Sequence, residues 1–150
     1  MQASGPIVYQ SDEFSITLDP RWREQEKTDG QQLIFTDERR KANIVISCAL
    51  YELTRAHLIG MAHTVATART KALGDLGPFH LGYDVVELVN DGAMAHIAQA
   101  GRSPGGFYWF EGWVTERKLL NFFVEVDSDD AVAARKIFDE AFAGFQMYVP

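Results

Sequence analysis

Polar and apolar positions alternate with period two through most of the first half of the chain. In "EFSITL" the residues Phe14, Ile16 and Leu18 share one side while Ser15 and Thr17 take the other, the signature of a half-buried strand. "PIVYQ" precedes it as a further strand, and Asp19-Pro20 ends it, because proline cannot donate to a ladder. "QQLIFTD" and "ANIVISCALYEL" flank the charged stretch "ERRK", Glu38 to Lys41, as the arms of an antiparallel hairpin around a solvated turn. The period changes at Thr54. Through "TRAHLIGMAHTVATARTKALG" the residues Leu58, Met61, Ala62, Val65, Ala68, Ala72 and Leu73 recur three or four apart, which predicts a helix with Thr54 as N-cap and Gly74 just past its end.

After the loop "DLGPFHLGY", which has the punctuation of a helix-to-sheet connection, "DVVELV" and "AMAHIAQA" flank the turn "NDG" as a second hairpin. "GRSPGG" then leads into "GGFYWFEGWVTERKLLNFFVEV", which carries seven of the chain's aromatic residues. "SDDAVAARKIFDEAFAGF" closes the chain as a helix, with Ser128 able to cap it, Asp129 and Asp130 suited to its N-terminus, and a stripe of Ala134, Phe138, Ala141, Phe142 and Phe145. Strands joined by hairpins and two amphipathic helices make an α+β fold. A mostly antiparallel sheet between the helices forms an α/β/α sandwich, in one domain over residues 1–150 with its core about 7–146.

The register of the aromatic hairpin decides which rings share a face. A three-residue turn of Glu116, Arg117 and Lys118 places Trp109, Glu111, Trp113, Leu119, Asn121, Phe123 and Glu125 on one face. Tyr108, Phe110, Val114, Leu120, Phe122, Val124 and Val126 then form the apolar face that makes the better core. On that register Glu111 and Glu125 are near diagonal neighbours, an arrangement from which acid–base chemistry is built. A two-residue turn at Arg117-Lys118 would dissolve the grouping. Two uses fit the rings: both faces serve simply as core, one beneath each helix, or Trp109, Trp113 and Phe123 anchor a protein or peptide partner, with Glu111 or Glu125 limiting which targets fit.

Composition removes several classes. The formal charge of −7, with no basic stripe, argues against nucleic acid. No segment has the roughly 18 apolar residues of a membrane span, and the N-terminus lacks the pattern of a secretory signal, so a cytoplasmic location is expected. Cys48, the one cysteine, shares a strand face with Ile44, Ile46 and Leu50 and reads as a buried, inert thiol. His57, His63, His80 and His96 are scattered without metal-ligand spacing, and neither a nucleophile elbow nor a phosphate loop is present. No catalytic residue, metal or cofactor is expected.

The order of elements, the opening Phe14-Ser15-Ile16-Thr17-Leu18-Asp19-Pro20 followed by Trp22, and the ending from "NFFVEVDSDD" to Gly144-Phe145 resemble the PsbP-like superfamily, which includes bacterial DcrB-like proteins and a Ran-binding import factor. The resemblance implies an α/β/α sandwich and a role in binding without catalysis. One cytoplasmic branch consists of small, often dimeric chaperones for hydrophobic segments of type VI secretion effectors. The leading expectation is therefore a non-catalytic adaptor or chaperone-like protein that holds a hydrophobic polypeptide segment, with a homodimer admitted by that branch. An immunity protein whose acidic surface meets a basic toxin, and a small enzyme using Glu111 and Glu125, are the alternatives.

Overall fold

A computed structural model describes residues 5–25, 32–75 and 77–148. The elements run β1 (Ile7–Gln10), β2 (Phe14–Leu18), β3 (Arg23–Glu24), β4 (Gln32–Asp37), β5 (Ala42–Leu50), α1 (Leu58–Asp75), β6 (His80–Val89), β7 (Met94–Ser103), β8 (Gly106–Val114), β9 (Lys118–Val126), α2 (Ala131–Ala143) and β10 (Phe145–Met147). Seven strands form one sheet in the order β3-β4-β5-β9-β8-β7-β6, and β1-β2-β10 form a second, smaller one. The strand pairings described are all antiparallel. The expected α+β sandwich is what the chain builds, with one addition: α2 shares its layer with the three-stranded sheet.

Each face of the large sheet has its own core. On one, Ile16, Leu18, Trp22 and the α2 residues Ala134, Phe138 and Ala141 close over Phe35, Ile44, Ile46, Phe122 and Val124. On the other, Leu58, Ala62 and Ala66 of α1 seat on Ala95, Ile97, Phe110 and Val114. The small residues Ala62 and Ala66 bring α1 close to the sheet, and the buried line runs Leu58, Ala62, Ala66, while Ala68 and Ala72 face outward. An expected stripe that included Ala68 and Ala72 therefore missed by part of a turn.

Other local expectations need correction. Gly74 lies inside α1, which runs to Asp75, and Thr54 Oγ1 meets His57 Nδ1 at 2.6 Å instead of capping a backbone N–H. The cap of α2 is Asp130, whose carboxylate accepts from Val132 and Ala133, with Ser128 accepting from Asp130 N one step earlier. Phe145 belongs to β10, past the helix, because the chain turns at Gly144, where a Cβ would lie 2.0 Å from the Thr17 carbonyl oxygen. The "ERRK" turn is docked, too: Arg40 bridges buried Asp37 and Glu140 of α2. Gln31 of "QQLIFTD" lies outside the described residues.

Candidate functional site

The turn of the aromatic hairpin is one residue shorter than expected. Thr115 N donates to Lys118 O at 2.8 Å and Lys118 N to Thr115 Oγ1 at 3.1 Å, which leaves Glu116-Arg117 as the two-residue tip. Trp113 therefore opposes Leu120, Glu111 opposes Phe122 and Trp109 opposes Val124. Because side chains alternate with period two, the slip carries every β9 residue to the other face relative to β8. Lys118 is not a turn residue because it is buried: its Nζ donates to Glu13 Oε1 at 2.9 Å and to the Tyr148 carbonyl at 2.5 Å, and Arg117 also bonds Glu13. Those hydrogen bonds, foremost the one from Lys118, hold the Glu13 carboxyl below its ordinary range.

The shift divides the five expected partner-binding residues. Trp109, Glu111 and Trp113 face α2, whereas Phe123 and Glu125 face the α1 side. Trp109, 6% exposed, stacks on Phe138 with centroids 5.1 Å apart, and Trp113 is sandwiched by His96, Phe142 and Phe145. Phe123 is buried under the Arg69 guanidinium, which lies 4.9 Å from its ring and 4.5 Å from that of Phe110. The open Trp109/Trp113/Phe123 surface does not form, because the two helices cover both faces of the hairpin. Nor does the carboxylate pair: Glu111 is buried and 2.7 Å from His96 Nε2, while Glu125 is exposed and accepts from Asn43 Nδ2. The carboxylate enzyme loses its geometry with them.

The surface that remains open lies at β6. The strand expected from Asp84 starts at His80, so "HLGY" extends the sheet edge and is not part of the connecting loop. Ten residues long and, among the described residues, paired only to β7, β6 is the terminal strand of the large sheet. Apolar side chains are exposed on both of its faces, Tyr83 at 37% and Val85 at 43% on the α2 side and Leu81 at 38% and Leu88 at 49% on the α1 side, while Val86 packs against the α1-side core. Burial and the nearby Glu111 charge push the Tyr83 hydroxyl up. A register shift between Leu81 and Tyr83 marks a β-bulge at Gly82. Beside it an apolar depression of about 230 Å³ runs over Gly82 and Ala100 to Phe107 and Trp109, with His80 and Arg102 at its rim. The opposite edge, β3, is two residues long and carries the exposed Arg23–Glu38 pair.

Sequence reasoning missed this site because it weighed the aromatic hairpin, which is central in the sheet, and split β6 between loop and strand. The signal was present: "HLGYDVVELV" places apolar residues at both parities, as a strand with two apolar faces requires.

Elsewhere, a cleft of about 470 Å³ opens where the Pro104-Gly105 turn faces Lys41, Glu125 and Asp127. Among the described residues no group of three or more His, Cys, Asp or Glu side chains is placed to hold a metal ion, and no helix is long and apolar enough to cross a membrane. Cys48 is half-buried and its thiol is pushed up, chiefly by burial.

No protein-family model and no curated protein sequence matches the chain. Solved structures do. The solution structure of cyanobacterial PsbP (CyanoP) from Synechocystis sp. PCC 6803 superposes with a TM-score of 0.70 over 98% of this chain and 95% of that one, at 12% identity. A crystal structure from Bacteroides thetaiotaomicron VPI-5482 gives a TM-score of 0.53, with 98% of this chain and 50% of that one covered at 14% identity. The architecture is thus a PsbP-like α+β fold. At these identities the likeness is one of fold, and it does not extend to the DcrB-like or effector-chaperone branch.

Proposed function

We propose that this protein works by binding, as an adaptor or chaperone-like protein that accepts an extended hydrophobic polypeptide segment as an added strand on β6. The observation behind this reading is the ten-residue terminal strand with exposed Leu81, Tyr83, Val85 and Leu88. A free strand edge offers unpaired main-chain donors and acceptors, and proteins normally blunt such edges with charge, proline or short length. Here the β3 edge is blunted by its two-residue length, whereas β6 presents ten residues in which the bulge at Gly82 and the charges of Asp84 and Glu87 alternate with exposed apolar side chains. Strand addition takes affinity from the main chain and specificity from alternate side chains. Trp109, Trp113, Phe123, Glu111 and Glu125 would then act as support beneath the edge and not as contacts, Trp109 excepted.

The test compares partners co-purified with three forms of the protein. A Val85→Lys/Leu88→Lys variant should lose the partner while its denaturation curve stays within about 1 kcal/mol of wild type, since both residues are exposed. Val132→Lys, at a more exposed apolar position on α2 (71% exposed), should keep it. Retention by the β6 variant, or equal loss from both variants, would refute the assignment.

A further inference from the structure

The depression beside Gly82 has the size and place of a side-chain pocket for whatever pairs with β6. Two rows of residues cross the sheet on the α2-side face. One runs His80, Arg102, Phe107 and the other Tyr83, Ala100, Trp109. Between them the bulge places Gly82, which has no side chain, and its close neighbour is the Ala100 main-chain oxygen, 3.3 Å from where a Cβ would stand. The row of β6 side chains is therefore interrupted at one point. Through that gap the depression is open from the sheet edge inward to the Phe107 and Trp109 rings.

We infer that this depression receives an aromatic or long aliphatic side chain of a polypeptide strand added to β6, and so sets the sequence preference of the reading proposed above, on which this inference rests. Size favours a side chain: about 230 Å³ falls below the roughly 300–1,000 Å³ of sites for small molecules. Reach favours a large one. Strands lie ~4.8 Å apart, so Ala100 on β7 is two spacings, about 9.6 Å, from the added strand, and only an aromatic or long side chain laid across Gly82 brings its tip to the Ala100 methyl. Charge favours a foreign strand over a second copy. Asp84 and Glu87 make the middle of β6 acidic, and each copy carries −7, so self-pairing works against like charge whereas a segment with a basic residue opposite Glu87 does not.

The experiment uses a short blocked peptide of alternating Thr and Val with one Lys and one central Phe, and the same peptide with Ala in place of Phe. Both are titrated into the isotope-labelled protein by NMR. The Phe peptide should shift the amides of β6, the Ala100 methyl and the Trp109 indole N–H together. The Ala peptide should shift the β6 amides alone and bind about tenfold more weakly, the loss expected for one apolar side chain left unburied. In an Ala100→Leu variant, which fills the depression, the two peptides should bind within about twofold of each other. Equal affinities of the two peptides for wild-type protein, with β6 shifts in both, would overturn the pocket and leave the edge reading standing. Absence of β6 shifts with either peptide would overturn the edge reading and the pocket with it.

Discussion

Lys118 shows how one charged residue can set the register of a hairpin. Its ammonium, 1% exposed, is neutralised by Glu13 and capped by the Tyr148 carbonyl, so it ties the β8–β9 turn to the β1–β2 turn and to the chain just after β10. Replacing one partner of a buried pair strands the other charge, at a cost of about 3–5 kcal/mol. Lys118→Met should thus lower stability in urea denaturation by about 3 kcal/mol at most, the lower end, because Glu13 keeps its ion pair with Arg117 and some contact with water. Lys118→Met combined with Glu13→Gln should recover part of that loss.

The same cluster predicts an acid response. Because the folded Glu13 carboxyl titrates below its ordinary value of 4.5, its contribution to stability is fully present above that value and is lost as pH falls through the depressed one. Glu13→Gln should flatten the decline of stability below pH 4.5, which denaturation at a series of pH values will read. A decline as steep as wild type would show that the clasp carries no such linkage. Trp109 is a second residue whose role the structure changes. Stacked on Phe138 and buried, it should cost about 3–5 kcal/mol when replaced by alanine, so binding lost by that variant would combine destabilisation with any missing contact.

At the scale of elements, the periodicities found the longer strands and both helices, but not the short β3 and β10 or the joins. Phe14, Ile16 and Leu18 declared β2 because alternation is local, and Phe138 and Ala141 declared α2 for the same reason. The β8–β9 register was hidden. It depends on Lys118 meeting Glu13, more than a hundred positions away, and a lone lysine after Glu-Arg reads as a turn residue. The pairing of Glu111 with His96 was equally out of view, since β7 and β8 had to be aligned first. Local patterns thus disclosed which residues are apolar strand or helix positions, whereas the candidate site required knowing which strand ends the sheet.

For the whole molecule, the two cores and the two unequal edges imply graded stability. β5, β8 and β9 are flanked by strands on both sides and covered on the α2 side, while β6 has one neighbour and exposed side chains. In native-state hydrogen exchange the amides of β9 should be among the slowest, and those of β6 the fastest of the long strands in the large sheet. A segment that adds to β6 should slow them. Uniform protection across β6 and β9 in the free protein would contradict an open edge.

The inequality of the edges also gives the large sheet one direction of growth. A sheet with two receptive sides can be extended indefinitely and tends towards fibres. This one ends on one side in a two-residue strand carrying an Arg23–Glu38 pair, which leaves β6 as the receptive side. Under the strand addition proposed above, a bound segment would become the new border, and its own sequence would decide whether the complex stops at 1:1.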